Sequence, residues 1–182
     1  MNYVEPIRDI NKIEEIKSIL KQNGTRDLLL FCLGINTALR ISDLLKLKVC
    51  DVRSKTHLEV REQKTGKLKR YHLHGNLLAL IEEYTKHKLD SDYLFPSRNG
   101  TNKPLTRVMT HNIINKACKQ AGIQDRCSNH SLRKTFSYHH YKTYKDVALL
   151  QALLNHSSPS ITLRYIGISQ DNIDESLANF EL

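Results

Sequence analysis

The residues in this sequence best suited to phosphoryl chemistry are two arginines, two histidines and a late tyrosine. His130 and Arg133, in Asn129-His-Ser-Leu-Arg133, are three apart and project from one face if the segment is helical. An imidazole can take a proton near neutral pH, and a guanidinium can give two parallel hydrogen bonds to phosphate oxygens. Arg40 lies among leucines and isoleucine in Ala38-Leu-Arg-Ile-Ser-Asp-Leu-Leu45, where its permanent charge requires an anionic partner. That partner could be Asp43, three residues on, or a bound phosphate. His156 and Tyr165 flank Ser158-Pro159, a helix-start signal, so a turn could bring them toward one point. Each also reads as structural, His156 as a helix C-terminal cap and Tyr165 as a half-buried aromatic.

The elements that must position these residues follow from periodicity. Asn11 with Glu14 resembles a capping box, with Ile10, Ile13, Ile16 and Leu20 on one face. Arg26 to Ala38 is apolar nearly all round, the pattern of a central buried helix, and a short helix over Ser42 to Leu47 should follow. The period then switches to two. Leu58 to Glu62 and Leu68 to Leu73 alternate around Thr65-Gly66, predicting a β-hairpin. Helical patterns resume over Asn76 to Lys88, Thr106 to Ala121, Ser131 to Thr143, Asp146 to Leu154, Pro159 to Ile166 and Gln170 to Phe180. The predicted class is mainly α with a small antiparallel β-sheet. His139 and His140 read as surface residues.

Twenty-eight Lys and Arg against 19 Asp and Glu give the 182 residues a net charge of +9, which favours a polyanionic partner, DNA above all. The hairpin stretch Arg61 to Gly75 alone holds five Lys or Arg and one Glu. Such a strand pair is either a solvated edge that resists aggregation or a surface laid along phosphates. The longest apolar run, Leu28 to Ile35, is far short of the ~18 residues that cross a bilayer. The first residues show no signal-peptide pattern. Cys32, Cys50, Cys118 and Cys127 lack Cys-x-x-Cys spacing and read as reduced packing residues of a cytoplasmic protein. His72 and His74 could share a strand face but lack a third ligand, and the acidic residues form no two-metal cluster. No metal or other cofactor is expected.

Taken in order, Thr-Ala-Leu-Arg40-Ile-Ser-Asp43-Leu-Leu, Gln-Lys64-Thr-Gly, His130-Ser-Leu-Arg133, Leu-Leu-Asn-His156 and Tyr165 resemble the catalytic domain of the tyrosine recombinases, the phage integrase family. The resemblance runs over essentially the whole chain. It implies one catalytic domain over residues 1–182, with a core to about 165 and a helical tail over 166–182, in which Ile173, Leu177 and Phe180 share one side. It implies a metal-free enzyme in which Tyr165 attacks phosphorus, Arg40 and Arg133 clamp the phosphate, and His130 acts as base. Lys64 would be the general acid, with Lys67 and Lys69 near enough to be alternatives, His156 would bond a phosphate oxygen and Asp43 would orient Arg40. Lys67, Lys69 and Arg70 would contact DNA.

Double-stranded DNA is the implied partner, and a homotetramer the implied assembly, linked if the tail packs on a neighbouring copy. The family's usual N-terminal DNA-binding domain has no counterpart here, so modest, salt-dependent affinity is expected. Related alternatives are a decayed, non-catalytic DNA-binding remnant and a type IB topoisomerase-like strand relaxation. The family often carries Gly where this chain has Ala38 and Asn155, and Glu where it has Asp43.

Overall fold

In a computed structural model, residues 4–124, 127–167, 177, 178 and 180 are described. Helices α1 (Ile10–Asn23), α2 (Thr25–Thr37) and α3 (Ile41–Leu44) come first, followed by a 3-10 turn at Val49–Asp51. The hairpin is β1 (His57–Arg61) with β2 (Leu68–His72). Helices α4 (Gly75–Thr85), α5 (Arg107–Gln120), α6 (Asn129–Tyr144), α7 (Val147–Leu154) and α8 (Pro159–Ile166) complete the described chain. The mainly helical architecture with one small antiparallel sheet is as the periodicity predicts.

Helix α2 is the axis. Leu29, Leu30, Phe31 and Leu33 are fully buried because α1, α4 and α6 all pack on it. On one side Leu29 and Leu33 join Leu58 and Tyr71 of the hairpin, Ile81 and Phe95. On the other, Phe31 meets Ile16, Leu20 and Ile114. A third cluster, Ala38, Leu150, Leu154 and Ile166 with Phe136 and Tyr165 against it, lies under the predicted chemistry.

At Gly34, in the middle of α2, an added Cβ would lie 2.7 Å from Leu132 Cδ1 and 3.1 Å from Leu132 Cβ. Rotating the leucine relieves the first contact but not the second, so α6 itself would have to move. Gly34→Ala is therefore expected to destabilise the fold despite a helix-propensity gain of ~1 kcal/mol, since overpacking costs about 1–3 kcal/mol. A thermal melt at or above the wild-type midpoint would contradict this.

Several expectations need correction. Helix α1 is capped by Asp9, whose Oδ1 accepts from Asn11 N at 2.8 Å, so the cap lies two residues before Asn11. Ile10 consequently sits in the first turn, 64% exposed, while Ile13, Ile16 and Leu20 are buried. Helix α3 spans four residues rather than six, because Leu47 O accepts from Leu94 N and Lys48 bridges to Tyr93. His139 and His140 are half-buried rather than surface residues. A ring nitrogen of His139 bonds Ile7 O, and His140 packs between Phe136 and Tyr144. The helix expected over Gln170 to Phe180 lies outside the described residues except at 177, 178 and 180, where Leu177 and Phe180 are exposed.

The hairpin pairs His57 with His72 and Arg61 with Leu68, and Gly66 takes the positive φ of 67° that its turn requires. Cross-strand pairing brings a third imidazole to His72 and His74: His57 Nε2 lies 3.2 Å from His72 Nδ1. Among the described residues no group of three or more His, Cys, Asp or Glu is arranged to hold a metal ion, and no helix is long and apolar enough to cross a membrane.

Candidate active site

Three chain reversals converge above the third apolar cluster. The first is the end of α2, where Ala38 adopts φ 53° and releases the chain into Arg40. The second is the end of α7, where Asn155 at φ 55° turns the chain to His156. Both are left-handed positions, which explains why glycine suits them. Asn tolerates that region, whereas Ala38 carries about 1–2 kcal/mol of strain. The third is the hairpin loop, residues 62–67, closed by Glu62 N to Lys67 O at 3.0 Å and Gly66 N to Glu62 O at 2.8 Å.

Arg133 ties the first two reversals together. Helix α6 is started by a Ser128–Ser131 capping box, and Arg133 lies one turn in with its side chain 6% exposed. Its Nη1 donates to Ala38 O at 2.6 Å and its Nη2 to Leu154 O at 2.7 Å. Both carbonyls belong to helix C-terminal ends, where acceptors lack helical partners and the dipole favours a cation.

Arg40 is held by Glu62, not by Asp43. Its Nη1 lies 2.7 Å from Glu62 Oε1, and Arg133 Nη1 is 3.8 Å from the same oxygen. The other carboxylate oxygen, Oε2, accepts from Thr65 Oγ1 at 2.7 Å. Asp43 is buried too, but its Oδ1 accepts from Gln63 N at 3.0 Å, so it fixes the hairpin loop rather than the guanidinium. The sequence signal for Glu62 was its place as the one acidic residue in a run of five cations.

Burial pushes the Glu62 carboxyl up, but the Thr65 hydrogen bond and the Arg40 and Arg133 guanidiniums outweigh it, so its pKa lies below the usual 4.5. A carboxylate with a depressed folded-state pKa contributes stability that is complete above the unfolded value and lost as pH falls through the folded one. Wild-type protein should therefore lose stability below about pH 4.5 more steeply than Glu62→Gln, as read by denaturant titration at pH 3–7. Parallel acid profiles would refute this.

Tyr165 comes up from α8 into this group. Its ring packs edge-on to His156, centroids 5.1 Å apart, and Lys134 Nζ lies 5.3 Å from its centroid. Its hydroxyl is buried without a well-formed hydrogen bond. Burial raises the phenol pKa above 10, against which the Arg133 and Arg40 charges and the close approach of Arg133 pull it down. His156 Nδ1 is 3.1 Å from Thr162 Oγ1, and its pKa is lowered by burial and by Arg133, Arg40 and Lys64. Tyr71, unmarked in the sequence, also points a buried, unpartnered hydroxyl into this field, its pKa pushed up to about 12 by burial and by Glu62.

His130 stands apart. It is exposed and, with Arg40, Arg107 and His111, lines an open cavity of about 510 Å³. Burial of part of the ring and the charges of Arg133 and Lys134 lower its pKa, keeping it neutral near pH 7. The imidazole against Tyr165 is His156, not His130.

The hairpin cations divide. Lys67 Nζ donates to Asn155 Oδ1 at 2.9 Å and Lys69 Nζ to Ala152 O at 2.7 Å, so both pin the hairpin to the end of α7. Arg70 sits 3.9 Å from Glu59, both well exposed, a geometry that contributes little. Lys64 is exposed at the loop, with no hydrogen bond or ion pair among the described residues.

Comparison with known proteins gives the family and the fold. A probable integrase/recombinase, YoeC, of Bacillus subtilis (strain 168) is 47% identical over 171 residues, covering 94% of this chain and 93% of its own. The tyrosine recombinase XerA of Pyrococcus furiosus is 31% identical over 175 residues, 93% of this chain, which spans only 60% of that protein. Among solved structures, XerA recombinase superposes with a TM-score of 0.79 over 99% of this chain and 67% of that one, at 21% identity. A lambda integrase dimer bound to a core site gives 0.71 over 92% and 61%, at 20% identity. Residues 7–171 match the phage integrase family. The chain therefore belongs to the phage integrase family and carries the catalytic-domain fold of the tyrosine recombinases.

Proposed function

We propose that this chain is a site-specific recombinase that cleaves and rejoins duplex DNA through a 3′-phosphotyrosyl intermediate. The observation that carries the reading is the buried, unpartnered hydroxyl of Tyr165 beside Arg133, with Arg40 and His156 around it. Tyr165 Oη attacks phosphorus. The P–Oη bond forms as the P–O5′ bond breaks, and the phenolic proton passes to neutral His130, which lines the cavity beside Arg40 and comes within reach of Oη, directly or through one water, only when DNA is bound. Lys64 gives its proton to the departing O5′, leaving a free 5′-hydroxyl. Attack by a 5′-hydroxyl of the exchanging strand reverses the steps, so the phosphodiester energy is kept and no external source is needed.

Arg40 and Arg133 stabilise the charge that gathers on the non-bridging oxygens, and His156 bonds one of them. These cations supply the field that a divalent ion supplies in many nucleases, so the reaction is metal-independent. Lys64 is the acid because Lys67 and Lys69 are already engaged at α7. Arg70 remains available to a DNA phosphate. The structurally similar Tn1549 transposon integrase was solved in complex with a circular intermediate DNA, and the lambda integrase dimer bound to a core site, which supports DNA as the partner. A homotetramer on DNA and action in the cytoplasm complete the reading.

The test is a nicked suicide duplex carrying the recognition site, on which cleavage traps the enzyme. A denaturant-resistant protein–DNA adduct is expected. Failure to form one on an authentic site would favour a DNA-binding remnant. Relaxation of supercoiled plasmid without sequence preference would favour topoisomerase-like action.

A further inference from the structure

The Glu62 carboxylate faces two ways. Oε1 accepts from Arg40, and Oε2 accepts from Thr65 Oγ1 at 2.7 Å. Lys64 lies between the two ends of that bridge in sequence. A counter-ion for Arg40 would need only the first contact. The second spans three residues of an otherwise exposed loop, and Asp43 adds a third anchor through Gln63 N. The loop carrying Lys64 is thus tied to the carboxylates around the phosphate clamp, while the lysine side chain itself is untethered.

We infer that Glu62, acting through Thr65, is a positioning residue that holds the Lys64 loop in register with Arg40, so that phosphate clamp and proton donor are set by one carboxylate. The inference rests on Lys64 being the general acid. Proton delivery demands placement within hydrogen-bond reach, ~2.6–3.2 Å, of the leaving oxygen. A Cα held in place leaves only the four-carbon stem to order when DNA binds, whereas a free loop would have to order its backbone too, at roughly 1–2 kcal/mol per residue. A misplacement of about 1 Å can cost on the order of 100-fold in rate.

The tether and the acid can be separated by the leaving group. In a nicked duplex whose bridging O5′ is replaced by sulfur, the leaving thiolate (thiol pKa ~8.5) needs no proton. Single-turnover adduct formation is compared on oxygen and sulfur substrates with the same enzyme preparation, so that any loss of folded protein cancels. Thr65→Val is expected to be slowed about 10- to 100-fold on the oxygen substrate and to match wild type on sulfur. Thr65→Ser, which keeps the hydroxyl, should cleave both normally, and Lys64→Ala should show the same sulfur rescue as Thr65→Val.

A Thr65→Val enzyme that cleaves the oxygen substrate at the wild-type rate, or is slowed equally on both, overturns the tether while the acid assignment stands. A Lys64→Ala enzyme slowed equally on both substrates overturns the acid assignment and the tether with it. Absence of adduct in wild type on either substrate overturns the recombinase reading itself.

Discussion

Tyr165→Phe is expected to abolish the covalent adduct while leaving the fold at least as stable as wild type. The two halves of that expectation come from the same atom. The Tyr165 hydroxyl is buried and lacks a well-formed hydrogen bond, so removing it forfeits only the close approach of Arg133 while deleting a poorly satisfied polar group. Such groups cost roughly 1–3 kcal/mol when buried. The ring contacts with His156 and Lys134 do not involve the hydroxyl and persist in phenylalanine. A structural tyrosine would give the opposite pattern, a loss of stability with activity retained. Removing an enzyme's nucleophile typically lowers the rate by about a millionfold, which on the suicide duplex means no detectable adduct. An adduct that survives in Tyr165→Phe would move the nucleophile to another residue.

Arg133→Ala is expected to fail in both respects at once. Its guanidinium bonds Ala38 O and Leu154 O, closing the ends of α2 and α7 over the third apolar cluster, and it stands 3.8 Å from buried Glu62. Truncation orphans two buried carbonyls and leaves Arg40 as the sole guanidinium on that carboxylate. Breaking a buried, hydrogen-bonded charge site costs about 3–5 kcal/mol, and losing one donor to the transition-state charge costs about 100- to 1,000-fold in rate. Denaturant titration and single-turnover cleavage, the latter at a temperature where the variant is folded, measure the two effects separately.

Arg133→Lys should recover little. A single ammonium on a flexible stem does not reproduce a planar fork whose two nitrogens reach carbonyls on different helices. Arg40, with its side chain 23% exposed and Glu62 as its carboxylate partner, should cost less stability for a comparable loss of rate when changed to Ala. Wild-type stability in Arg133→Ala would show that the two carbonyl bonds do not hold the helix ends together.

The reactive residue types and most elements were legible because their signals are local. His130 and Arg133 are one helical turn apart, the hairpin alternates with period two around Thr65-Gly66, and Ser158-Pro159 starts α8 at the predicted residue. A spacing of three or two residues fixes which side chains share a face whatever the rest of the chain does. The errors fell where another residue competes for the same role, a local one at the α1 cap and distant ones at the end of α3. Asn11 yielded the cap to Asp9, and α3 stopped early because Leu47 and Lys48 are taken up by Tyr93 and Leu94.

What the sequence determined by itself was the family-like order of Arg40, Lys64, His130, Arg133, His156 and Tyr165, and the helical class that carries them. What only the tertiary structure decided was who holds whom. Arg40 went to Glu62, 22 residues away, rather than to Asp43 three residues on, and Lys67 and Lys69 went to the end of α7, 88 and 83 residues away. The physical reason is that a charge does not choose the nearest opposite charge in sequence. Asp43 and Glu62 are both buried, so what decides is which carboxylate oxygen the fold brings within hydrogen-bond reach of the guanidinium. The hairpin folds Glu62 into the α2–α6–α7 junction, where an unpaired arginine would be costliest, and sends Asp43 to the Gln63 amide.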